Sequence, residues 1–241
     1  MRLLWSVNLL EAEALLPRLE ALGLGAEVYL DPRGLGDRAL LERLARRLPR
    51  PLSAHLPFWN LDPIAPDPEV ADLSRRRLLE GLEAAARLGA ERAVFHSGLP
   101  AKTPLAGALA RVEPLLEALR PLVERARALG VALFLENTHE PAPGALVELL
   151  EALGLGFCFD PAHARVFSAT PDPFSWLALR PGHLHLNGTD GAYDRHWNLD
   201  RGDGDLAWLG GLEGVPWVLE VRGDPEPSLR FLADRLLTAG G

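Results

Sequence analysis

The chain has one cysteine and one methionine, contains no glutamine, and carries a single lysine, Lys102, among its 25 basic residues. A lone Cys158 excludes an intrachain disulfide framework and fits a reducing compartment. No apolar run approaches the roughly 20 residues that span a bilayer, so no transmembrane helix or membrane partner is expected. The opening segment MRLLWSVNLLEAEALL has no small-residue cleavage site of the kind that ends a secretory signal, which makes the cytoplasm the expected location. Net positive charge is also missing. At −8 the chain has no overall basic field to draw in nucleic acid, although a local groove can be basic on an acidic protein. No GxGxxG follows the first apolar run, which counts against a dinucleotide-binding fold. The scarcity of thermolabile side chains fits a thermophile.

Hydrophobic residues make up 48% of the 241, ample for a buried core, and no linker, charge block or low-complexity segment divides the chain. Short apolar runs alternate with longer stretches of helical period. Strands are expected at 2–7, 26–30, 52–56, 92–96, 131–136, 155–160, 183–187 and 215–221. Between them, segments such as 78–88 and 115–129 place apolar residues three and four apart. Gly23, Gly89, Gly130 and Gly154 stand where helices would end before the next strand. Eight strands each followed by a helix predict an α/β fold, a single (β/α)₈ TIM barrel over residues 1–241. The stretch 188–204 is loop-like and polar, which makes the seventh helix the poorest of the eight.

Function in such a barrel sits where strands lead into helices. From the third strand to the eighth, the strand ends supply His55, His96, Glu136, Asp160, His185 and Glu220. With 7 histidines and 33 acidic residues in 241, roughly one position in six carries such a group, so six consecutive occurrences are a pattern. Carboxylates converging on one mouth repel each other, and burying them unpaired costs several kcal/mol. A divalent metal removes that cost, and the imidazole–carboxylate mixture suits zinc, manganese, iron or cobalt. FDPAH adds His163 three residues after Asp160, and DRHWN sets Asp194 and His196 on one side of an extended loop. His183 shares a face with His185 one layer deeper and is expected to be a supporting or core residue. His139 is equally compatible with a plain surface position, and the arginines of SRRRLL (74–79) are expected on a solvated helix face.

Over residues 50–222, and more weakly before them, these motifs resemble the xylose-isomerase-like barrels. That group includes endonuclease IV (the AP endonuclease family 2 enzymes) and the sugar and sugar-phosphate isomerases and epimerases. The endonuclease branch implies a hydrolase with three metals, zinc foremost. His55, His96 and Glu136 would hold the first, and Glu136, Asp160, His185 and Glu220 the second. His163, Asp194 and His196 would hold the third. The resemblance also implies catalytic roles for Glu136 and Glu220. Substrate contacts are expected at Phe58, Asn137, Asn187 and Arg195, with Phe58 standing where those endonucleases place a DNA-probing tyrosine. The openings WSVNLLEAE and LDPRGLGD are closer to the isomerase branch. The glycine pair Gly202 and Gly204 is spaced differently from the endonuclease pattern.

Two activities follow. One is phosphoester hydrolysis by a trinuclear site acting on a phosphoester or sugar-phosphate substrate, with abasic DNA disfavoured by charge. The other is isomerisation or epimerisation of a sugar or sugar phosphate by one metal on Glu136, Asp160, His185 and Glu220, with Glu136 and Glu220 as acid and base. A barrel that keeps metal only as structure is a third option, but a complete ring in an open mouth serves structure poorly. The DRH triplet makes hydrolysis the expected activity.

Overall fold

A computed structural model describes residues 2–202, 206–212 and 214–238; Gly204 of the glycine pair lies outside them. The strands are β1 (Arg2–Asn8), β2 (Gly25–Tyr29), β3 (Leu52–His55), β4 (Arg92–His96), β5 (Ala132–Glu136), β6 (Gly156–Phe159), β7 (His183–Leu186) and β8 (Pro216–Leu219). Each pairs in parallel with its successor, and β1 pairs with β8, so the sheet closes into a barrel. This is a (β/α)₈ TIM barrel.

Strand alternation sorts the side chains into two populations. Ala26, Val28, Ala54, Phe95, Leu135, Phe157, Leu184, Trp217 and Leu219 belong to one continuous core with helical residues such as Leu41, Leu78, Leu82, Leu119 and Leu149. The intervening positions line the barrel interior, where Val94, Phe134 and Cys158 form a separate small cluster. Interior layers of such barrels are commonly bulky and apolar. Here Glu27, Ser53, His183 and His185 are also fully or almost fully buried, so the interior is in part polar.

The main helices follow from their local sequence. Pro68–Leu88 opens on Asp67, whose carboxylate accepts from the Glu69 N–H, with Pro68 in the first turn where its missing N–H costs nothing. Gly23, Gly89, Gly130 and Gly154 all cap helices in the left-handed conformation, with φ between 64° and 73°. Arg75 and Arg77 pair along their helix with Asp72 and Glu80, whereas the neighbouring Ser74 is buried and accepts from the Asp62 N–H. Between β7 and β8 the described residues form no α-helix. They make an antiparallel bridge, Gly188 to Trp197, followed by short 3₁₀ turns at Leu199–Arg201 and Ala207–Leu209.

Five strands end one or two residues earlier than their apolar runs suggest, and for β6, β7 and β8 this leaves Asp160, Asn187 and Glu220 just beyond the strand. At Asp160 the cause is visible. Its Oδ1 caps the helix Pro161–Phe167 by accepting from the N–H groups of Ala162 and His163, so the chain leaves the sheet to start a helix. Register then levels the remaining groups. Tyr29 is opposite His55, His96 opposite Glu136, and Glu136 opposite Cys158, which brings the strand-end side chains to one mouth.

Candidate metal centre

Glu136 is the hub. Its Oε2 lies 3.1 Å from both His55 Nε2 and His96 Nε2, and its Oε1 lies 3.1 Å from both His163 Nδ1 and His185 Nδ1. The carboxylate is fully buried, so four imidazoles from β3, β4, β7 and the helix after β6 converge on one charge out of water. His185 Nδ1 is also 3.4 Å from Glu220 Oε2. Ligand atoms of Glu136, Asp160, His185 and Glu220 all lie within 4.8 Å of one another, and the same holds for His55, Glu136 and His185.

A second group adjoins it. His163, Asp194 and His196 bring ligand atoms within 4.8 Å of one another. Asp194 Oδ2 is 2.9 Å from His196 Nε2 and 3.5 Å from His163 Nε2. The loop after β7 delivers both Asp194 and His196 to this group, with His196 in the left-handed backbone conformation at φ 50°.

The hydrogen bonds of the histidines fix which nitrogen each presents. His55, His163 and His196 direct Nδ1 at the carbonyls of Leu56, Asn137 and Glu220, at 2.9, 3.0 and 2.8 Å. A carbonyl only accepts, so each Nδ1 carries the proton. Each Nε2 is left facing carboxylate oxygens, an arrangement that requires a second proton or a cation between them. Buried Glu136 Oε1, His185 Nδ1, Asp194 Oδ1 and Glu220 Oε2 have no hydrogen-bond partner, although carboxylates and imidazoles lie about them. Orphaned groups of this kind are costly, and a divalent cation satisfies carboxylate and imidazole lone pairs together. The residues present therefore fit a metal centre.

The titration of the cluster reflects the same crowding. Burial pushes the Asp160 carboxyl up to about 6; His163 opposes the rise, while Glu136, Glu220 and Asp194 add to it. Burial pulls His96 down to about 4 against the attraction of Glu136. At His196 burial also acts downward, but the Asp194 hydrogen bond and the charge of Glu220 carry the imidazole up to about 9. His163 and His185 lie well above the usual imidazole range, their carboxylate neighbours overcoming burial. Glu136 is held well below the usual carboxylate range despite its burial, chiefly by His185 and His96.

A cavity of about 940 Å³ opens over this cluster, walled by Tyr29, Phe58, Trp59, Leu99 and Phe167, with Arg222 at its edge. Phe58 lines the cavity, with its ring 4.6 Å from that of His96 and 4.9 Å from that of His55. Asn137 and Asn187 do not line the cavity. Asn137 exchanges two hydrogen bonds with the Asp160 backbone, and Asn187 donates to Asp160 Oδ2, so both hold that carboxylate in place. Arg195 is also outside the cavity: it turns onto Asp190 and the rings of Tyr193 and Trp197. None of these three lines the cavity. His139 is not a plain surface residue either; it is half-buried, donates to the Leu99 carbonyl and packs on Phe167 at the cavity wall.

Sequence reasoning passed over Glu27. It is completely buried on β2, 2.8 Å from both His183 Nε2 and His185 Nε2. An acid in the middle of AEVYL, a strand expected to be buried on both faces, was the signal available.

Residues 21–228 match the family model described as xylose isomerase-like TIM barrel. The chain is 33% identical over 201 residues to the "Probable endonuclease 4" of Symbiobacterium thermophilum, a match covering 70% of each protein. Among solved structures it is similar to the TTHB071 protein from Thermus thermophilus, determined after soaking with ZnCl₂. That match has 60% identity and a TM-score of 0.95, covering 100% of this chain and 99% of the other. It also shares its fold with a D-tagatose 3-epimerase-like protein at 20% identity and a TM-score of 0.81, covering 100% and 98% of the two chains.

Proposed function

The chain belongs to the xylose isomerase-like TIM barrel family, and from that premise we propose that it is a metal-dependent phosphoester hydrolase with a three-cation site. The observation that carries the proposal is the His163–Asp194–His196 group, which brings a further set of ligand atoms against the Glu136 cluster. A site built for one cation on Glu136, Asp160, His185 and Glu220 has no use for it. His55, His96 and Glu136 Oε2 would hold one cation. Glu136 Oε1, Asp160, His185 and Glu220 would hold another, and His163, Asp194 and His196 the third. Zinc suits this imidazole-rich set best, with manganese, iron and cobalt as alternatives.

Cations held there would lower the pKa of water and neutralise phosphate oxygens. The chain's own groups do the rest. Glu220, whose Oε2 is buried without a hydrogen-bond partner, is placed to orient an attacking water. Phe58 and Leu99 give the cavity an apolar wall beside the cluster, which limits bulk water there. Arg222 supplies positive charge at the edge. It is the only arginine or lysine among the described lining residues, and about 940 Å³ suits a small phosphoester or sugar phosphate better than a duplex.

One observation favours the epimerase alternative. Glu136 and Glu220 both face His185 Nδ1, at 3.1 and 3.4 Å, as an acid–base pair flanking one metal would. Zinc-loaded protein assayed against phosphomonoesters, phosphodiesters, abasic DNA and ketoses separates the two. Hydrolysis of a small phosphoester, abolished by chelator and restored by zinc, is expected. Ketose epimerisation without phosphoester turnover would overturn the proposal.

A further inference from the structure

His185 presents the opposite nitrogen to that of its neighbours. His55, His163 and His196 turn Nδ1 to a backbone carbonyl and Nε2 towards carboxylates of the site, although His163 Nδ1 also lies 3.1 Å from Glu136 Oε1. His185 instead turns Nδ1 towards Glu136 and Glu220. It lies inside β7, where the carbonyls are engaged in pairing with β6 and β8, so no loop carbonyl is available to fix its ring. The group facing its Nε2, at 2.8 Å, is Glu27 Oε1. Glu27 is itself held through its other oxygen. Oε2 accepts from Ser53 Oγ at 2.7 Å and meets His183 Nε2 at 2.8 Å. Oε1 of Glu27 and Nε2 of His185 are both buried and, although 2.8 Å apart, neither makes an aligned hydrogen bond. The polar interior beneath the mouth thus ends on one carboxylate oxygen aimed at one imidazole nitrogen.

We infer that Glu27 is the positioning residue of His185: its Oε1 accepts from the Nε2–H, keeps the proton on Nε2 and so reserves Nδ1 for a cation. The inference rests on the metal-centre proposal above. A carboxylate behind a ligating imidazole fixes its tautomer and orientation and raises its basicity. Ser53 and His183 then have a function beyond filling space, since they hold Glu27 by the oxygen that His185 does not use. His183 is connected to the site through this carboxylate.

The test compares zinc affinity, measured by competition with a chromophoric chelator, for the wild-type chain and Glu27→Gln. Glutamine keeps the size and an acceptor for Ser53 and His183, but its amide offers a donor to His185 Nε2 and favours the wrong tautomer. Affinity at the tightest site is expected to fall about 10- to 100-fold. The melting temperature of both chains in chelator is recorded alongside. A loss of stability with unchanged zinc affinity would assign Glu27 a structural role only and overturn the inference. Nitrogen-resolved NMR of the zinc-loaded wild type provides a measurement independent of any variant. Zinc on Nδ1 of His185 with the proton on Nε2 is expected, and zinc on Nε2 would overturn it. A wild-type chain that holds no zinc overturns the metal-centre proposal and this inference with it. Full zinc binding that Glu27→Gln does not weaken overturns only the role of Glu27.

Discussion

Among individual residues, Asp194 and His196 separate the two candidate activities most sharply. In a three-cation hydrolase, Asp194→Asn combined with His196→Ala removes two of the three ligands of one cation. Zinc content should fall by about one ion per chain, and hydrolysis should fall by about 100-fold or more, the scale of losing charge stabilisation in the transition state. In a one-metal epimerase the same variant would keep its metal and show mainly a raised KM. His139→Ala is the control. His139 donates to the Leu99 carbonyl and takes no part in the ligand groups, so its loss should leave zinc content unchanged. Most of this cluster was legible in the sequence, because a strand end followed by His, Asp or Glu needs only the strand period to be located. Arg195 was not, because the turn of this loop that sends it onto Asp190 is set by contacts the sequence pattern does not show. Glu27 was missed because a charged residue inside a strand reads as a departure from pattern until its partners on β3 and β7 are known.

At the level of elements, the loop after β7 matters most, because it carries two ligands without a helix to support it. Its rigidity comes from the Gly188–Trp197 bridge, where both backbone hydrogen bonds form, at 2.7 and 3.0 Å. A Cβ on Gly188 would lie 2.6 Å from the Asn198 carbonyl oxygen, which is backbone and cannot swing aside. Gly188→Ala should therefore displace the segment bearing Asp194 and His196 while leaving Glu136 and Asp160 in place. Elemental analysis should show about one zinc fewer per chain. Unchanged zinc content would mean that the bridge does not set the ligand geometry. The eight strands were legible from their apolar runs, and the polarity of 188–204 marked the poorest helix, where the described residues form none. The ends of β6, β7 and β8 were not. Apolar runs mark what is buried, whereas Asp160 leaves the sheet to cap a helix, a choice made by hydrogen bonding.

For the molecule as a whole, the cluster ties global stability to protons or cations. Without metal, His55, His163, His185 and His196 are all held above the ordinary imidazole value, so the folded chain binds protons that the unfolded chain does not. Their contribution is complete below about pH 6.5 and is lost as pH rises through the folded values, about 9 for His196. His96 and His183 are shifted downward and are neutral in both states above pH 6.5, so they do not offset the loss. The melting temperature in chelator should therefore drop between pH 6.5 and 9, by on the order of 5 °C. With zinc in place the imidazoles are already neutral ligands, and the drop should disappear. A chelated chain whose stability rises over that interval would contradict the crowding described here.

The number of zinc ions per chain tests the central claim most directly. Wild-type protein stripped by chelator, reloaded with zinc, desalted and measured by elemental analysis against protein concentration should hold about three. Three is the sum of one ion on His55, His96 and Glu136, one on Glu136, Asp160, His185 and Glu220, and one on His163, Asp194 and His196. A value of about one, unchanged by Asp194→Asn with His196→Ala, would contradict the account and leave the one-metal epimerase in its place.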